Sequence, residues 1–127
     1  MKKLSYSIAA LLFIIVAISA TASNPQKELV GQWKFDVTQA PYEFQKGKMV
    51  IEQSDDQLEG KVIFDRAQDV SIRSIETGEE KITITLYIQG EKVEVIGNIE
   101  DNEFVGYVET YSQDKIDFKA EKIIGEE

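Results

Sequence analysis

Acid–base or nucleophilic chemistry in this chain would have to come from carboxylates, tyrosine or lysine, because its 127 residues include neither histidine nor cysteine. Ser-His-Asp and Cys-His systems are therefore excluded, as are zinc sites of the usual Cys/His type. Two carboxylates flanking one bond can hydrolyse a glycoside, and Asp36, Glu43 and Asp65 fall near the ends of apolar segments. Asp55-Asp56 and Glu100-Asp101-Asn102-Glu103 offer oxygen atoms to a hard cation. Neither run has the spacing of a dedicated calcium loop, and short Asp/Asn pairs suit tight turns. The expectation is a non-enzymatic protein with no catalytic residues, no metal and no cofactor.

Aromatic residues carry the more specific signal. Thr38 to Gln45 is the one long connection with two of them, Tyr42 and Phe44, and it follows the segment that holds Trp33 and Phe35. Loops at the open end of a rigid scaffold are where binding residues gather. Trp33, Phe35, Tyr42, Phe44 and Met49 are thus the expected ligand-binding set, with Tyr42 and Phe44 as a lid. A second, alternative surface is an outward apolar stripe of Val50, Ile63, Ile96, Val105, Tyr107 and Tyr111, suited to a homodimer or an envelope protein partner.

The elements that must position these residues are strands. Period-two alternation recurs through the chain, and no helical period competes with it. Trp33, Phe35 and Val37 open the series, followed by Met49 and Ile51, then Leu58, Val62 and Phe64, with Val70 and Ile72 beginning a fourth strand. Ile82 to Ile88, Val93 to Ile99, Phe104 to Val108 and Ile116 to Ala120 complete eight. Asn24-Pro25 reads as a helix start, but only Gln26 to Leu29 follow before Gly31, which leaves room for one turn. Short connections make neighbours antiparallel, hence a meander. Such a sheet closes into a barrel or folds into a flattened sandwich; closure leaves no edges and is the expected solution.

The inward set is Trp33, Phe35, Met49, Ile51, Leu58, Val62, Phe64, Ile72, Ile82, Ile84, Leu86, Val93, Val95, Phe104, Val108, Ile116 and Phe118. Its bulk predicts a packed core or a shallow cup rather than a deep pocket. An internal echo, D-[DN]-x-Φ-x-G-x-V, matches Asp55–Val62 to Asp101–Val108. Inward glycines at 60 and 106 would allow sharp bending or the close approach of a neighbouring ring.

Residues 1–22 read as a cleaved signal peptide. Lys2 and Lys3 precede an uncharged apolar run from Ile8 to Ile18, and Ala20-Thr21-Ala22 gives the small-x-small cleavage signature. That run is shorter than the roughly 20 residues a membrane span needs. Residues 23–127 then form a single domain that is exported, periplasmic or secreted, with no membrane span. Without cysteine it has no disulfides and is not a lipoprotein. Residues 1–22 hold two of the 14 basic residues and none of the 23 acidic ones, so the mature chain carries twelve against 23, a net charge of −11. Such acidity opposes nucleic acid and anionic surfaces and leaves cationic partners open.

Gly31-Gln32-Trp33, after a short turn and opening the first strand, resembles the G-x-W start of lipocalin and avidin-like (calycin) barrels. The stretch 29–123 as a whole resembles small exported bacterial lipocalin-like β-barrel proteins of unassigned function. Their pattern of G-x-W-x-Φ, D-x-L-x-G-x-V, a central strand and a second D-x-Φ-x-G-x-V is met by Gly31–Phe35, Asp56–Val62, Ile82–Leu86 and Asn102–Val108, with Asn102 in place of Asp. The resemblance implies an eight-stranded antiparallel up-and-down barrel that binds a small apolar or amphipathic ligand at one end. The chain departs from true lipocalins in being shorter, in lacking a helix after the last strand, and in having no late arginine to cover Trp33. Lys119 or Lys122 is placed to take that role through a cation–π contact.

Overall fold

The computed structural model describes residues 25–110, 112 and 114–124. The expected leader lies outside these residues. Helix α1 (Pro25–Leu29) leads into eight strands: β1 (Gly31–Asp36), β2 (Lys46–Ser54), β3 (Gln57–Phe64), β4 (Val70–Thr77), β5 (Ile82–Ile88), β6 (Glu91–Glu100), β7 (Glu103–Glu109) and β8 (Lys115–Lys122). They follow one another around a closed antiparallel barrel, and β1 joins β8. The barrel, rather than the sandwich, is what the alternation produces. A 3₁₀ turn, Tyr42–Phe44, interrupts the connection between β1 and β2.

Turn chemistry fixes the hairpins. Ile88 pairs with Glu91 across Gln89-Gly90, and both turn residues have positive φ (54° and 84°), as a type I′ turn requires. Asp55 and Asp101, each at φ 57°, open the two-residue turns joining β2 to β3 and β6 to β7. The Asp-Asp and Asp-Asn pairs of the internal echo therefore serve the backbone, since Asp enters the left-handed region more readily than most residues.

All seventeen residues of the expected inward set lie in the core or pack against it, and Leu29, Val37 and Ala120 join them. One departure from period two has a clear origin. In β4 the pairing with β5 slips between Ile72 and Ser74, so Arg73 is an extra residue. This bulge lets both Ile72 and Ile75 face inward at a spacing of three, and the Arg73 guanidinium lies 4.9 Å from the Tyr87 ring centre.

The glycines of the echo work differently from the expectation. Gly106 pairs with Gly97, and a Cβ on Gly106 would run into the Ile96 carbonyl oxygen and the Gly97 Cα. What approaches closely is the neighbouring backbone, not an aromatic ring. Replacing Gly106 with alanine should therefore force β6 and β7 apart and cost about 1–3 kcal/mol. Urea unfolding would report this as a lower midpoint at unchanged slope.

Candidate functional site

The two ends of the barrel are built differently. At the end where the chain enters, Trp33, Phe104, Leu29, Ile51 and Ile84 are almost wholly buried and fill the interior. The Trp33 indole N–H donates to the Leu29 carbonyl at 2.8 Å, tying α1 beneath the barrel as a plug. Lys122, opposite Trp33 on β8, places its ammonium 5.4 Å from the indole centre and donates to the Glu28 carbonyl at 2.8 Å. Gly31 makes this possible: it has φ 138°, and a Cβ there would lie 2.9 Å from the Lys122 Cε. The G-x-W motif thus gives the lysine arm a path across the first strand onto the indole. Of the two candidate lysines, Lys122 takes the covering role, while Lys119 pairs with Glu103 at 3.4 Å on the surface.

The other end is open. A cavity of about 250 Å³ reaches down to Met49, Val62 and Val95 in the middle of their strands. Phe35, Phe44, Phe64 and Phe118 line it together with aliphatic side chains, and Gln89, Glu91 and Thr110 stand among its lining residues as the polar ones. The barrel is therefore half filled, a cup at one end over a packed base. Aromatic contacts run the length of the interior: Trp33 meets Phe104, Phe104 meets Phe118, Phe118 meets Phe35, Phe35 meets Phe64 and Phe64 meets Phe44, at centroid separations from 5.1 to 6.5 Å. Mostly edge-to-face, these pairs fix the ring orientations and give the cup a stiff wall.

The loop above the cup is braced internally. Val37 N–H donates to the Gln45 carbonyl (2.7 Å), and the Gln45 side-chain amide donates to the carbonyls of Thr38 and Ala40 (3.2 and 3.1 Å). Arg66, from the connection between β3 and β4, donates to the Tyr42 carbonyl at 3.4 Å and stacks 4.1 Å from the Tyr42 ring centre.

The expected ligand-binding set is thereby divided. Phe35, Phe44 and Met49 line the cavity. Trp33 does not; it belongs to the packed end. Tyr42 is 68% exposed and turned onto Arg66, because the 3₁₀ turn sends Tyr42 and Phe44 in different directions. Phe64 and Phe118, both members of the expected inward set, also form the wall; their height along the strands, next to the mouth, is the sequence signal for that role.

The outward residues do not form one stripe. Val50 and Ile63 stand on β2 and β3; Ile96, Val105 and Tyr107 stand on β6 and β7, four strands round the barrel and so on the opposite side. Ile96, in register with Thr83 and Tyr107, is only 8% exposed despite facing out. Tyr111 lies outside the described residues. Asp36 stands opposite Lys46 in the β1–β2 register, and Glu43 sits on the exposed 3₁₀ turn. Among the described residues no side chains gather as a metal site, and no polar or charged residue is buried.

Neither a family model nor a curated protein matches this chain. Among solved structures, two variants of the fluorescent protein UnaG align with it. One shares 14% identity at a TM-score of 0.49 and covers 78% of this chain and 99% of its own. The other shares 15% at 0.47, covering 76% and 96%.

The closed end makes the two lysines separable. Lys122→Met keeps the stem over Gly31 but loses the ammonium, and should cost about 1 kcal/mol. Lys119→Met removes an exposed ion pair and should cost no more than about 0.5 kcal/mol. Trp33 is the sole tryptophan, so its emission during denaturant unfolding checks both.

Proposed function

We propose that this chain is an exported binding protein for a small apolar or amphipathic molecule, held in the cup lined by Phe35, Phe44, Phe64 and Phe118. The observation that carries the reading is the cavity itself: about 250 Å³ of apolar-walled space, open at one end, above a base of fully buried side chains. A dry apolar cavity of about 150 Å³ admits benzene, so this one suits a bicyclic aromatic or a branched chain of similar bulk, with its polar end at the mouth. Binding sites of this kind combine a mostly apolar wall with a few polar groups that orient the ligand, and Gln89, Glu91 and Thr110 fill that role here. A stiff wall and a braced loop also lower the ordering cost of association. Binding rather than catalysis is the reading favoured by a cup whose ionisable lining residue, among those described, is a single exposed carboxylate. Export is supported by the leader-like residues 1–22, and a periplasmic or secreted location follows from it.

A neutral probe tests this. N-phenyl-1-naphthylamine should brighten on binding, with a dissociation constant of the order of 10–100 µM. Leu86→Trp, which fills the cup with an indole, should abolish the signal while leaving the protein folded. Equal binding by the filled variant would place the dye elsewhere and defeat the proposal.

A further inference from the structure

The charges around the mouth are sorted by direction. In the hairpin joining β5 and β6, Ile88 pairs with Glu91 and Leu86 with Val93, so Glu91 occupies the inward row that continues through Val93 and Val95. Those three residues line the cavity. Among the described lining residues Glu91 is the ionisable one, and none is basic. It has no ion-pair partner among the described residues.

The cations near the mouth are turned away from the cup. Arg66 is engaged by the Tyr42 ring and carbonyl. Lys115 pairs in register with Glu109 on the outer row, its ammonium 4.9 Å from the Tyr107 ring centre. Lys46 stands opposite Asp36, also facing out. Lys92 reaches Glu94 at 3.7 Å on the outside of β6. A ligand in the cup therefore meets an unpaired carboxylate and a wall of phenylalanine rings. The carboxylate favours positive charge, and the rings offer an apolar wall that a cation's body can pack against. The acidity of the whole chain, −9 over 127 residues, adds a field of the same sign. An anionic head would shed water beside Glu91 and find no cationic partner among the described lining residues in compensation.

From this sorting, and resting on the binding role proposed above, we infer that the cup takes cationic amphiphiles: molecules with an aromatic or compact apolar body and a protonated amine, the body on the phenylalanine wall and the ammonium facing Glu91. Carboxylate-headed amphiphiles of the same size are selected against.

Three probes with one body and different heads separate the possibilities. 1-Naphthylmethylamine, 1-naphthylmethanol and 1-naphthoate are titrated by calorimetry into the purified protein at neutral pH and low salt. The amine should bind roughly three- to tenfold more tightly than the alcohol, and the carboxylate most weakly. Glu91→Gln, a change at an exposed position, should bring the amine within about twofold of the alcohol, since the carboxylate is removed. Raising the salt to about 0.5 M should narrow the preference of the unaltered protein by screening. Naphthoate binding as tightly as the amine, or an amine preference that survives Glu91→Gln, overturns the charge inference. In that case alcohol binding that Leu86→Trp abolishes still upholds the cup as a binding site. If none of the three probes binds, the cup reading fails and this inference with it.

Discussion

Everything in this barrel depends on how its first and last strands are joined. A meander of eight strands leaves two edges, and closing them brings together segments that lie far apart in the chain. Here the join runs through Trp33–Lys122, Lys34–Glu121 and Phe35–Ala120. It is a short seam, extended by the Ile123 N–H donating to the Gln32 carbonyl at 2.8 Å. What reinforces it is the group around Trp33. The indole holds α1 through Leu29, and Lys122 holds α1 through Glu28 while lying over the indole. One buried ring thus ties together the helix, the first strand and the last. In a chain without cysteine, this packing does the work that a disulfide does in many small domains.

That closure also decides where a ligand can go. Because Trp33, Phe104, Leu29, Ile51 and Ile84 fill the base, the remaining free interior is at the opposite end. The aromatic contacts passing from Trp33 to Phe44 link the two regions physically: the lowest rings are packed on all sides, and the highest form the cup wall. Each large side chain buried at the base contributes about 1.5–3 kcal/mol. That stability allows the other end to leave apolar surface open without the barrel collapsing onto it.

Much of this was legible in the chain, and the limits have physical causes. Period two locates strands and assigns faces, so all eight strands and seventeen of the interior residues could be read directly. The bulge at Arg73 escaped because alternation says nothing about where an extra residue enters. Height was the other blind spot. A strand rises about 3.3 Å per residue, so Phe35 and Val37 reach the mouth while Trp33, on the same face of the same strand, stays at the base. Trp33 follows the same inward row that leads to the loop of Tyr42 and Phe44, and the axial offset separates them. The outward stripe failed for a related reason: alternation marks a residue as outward, but only the order of strands around the closed barrel shows that β2–β3 and β6–β7 lie on opposite sides.

The sequence by itself determined the class of structure and bounded the chemistry. Alternation with short turns requires an antiparallel meander, and the lack of histidine and cysteine removes the commonest catalytic and metal-binding groups. It also nominated two lysines for covering the tryptophan, without choosing between them. Tertiary structure made that choice, because the β1–β8 register sets Lys122 opposite Trp33 while the β7–β8 pairing turns Lys119 toward Glu103. It likewise decided which end is solid, which phenylalanines form a wall, and which charges face inward. Those properties depend on position around and along the barrel axis, and a linear pattern acquires both coordinates only when the barrel closes.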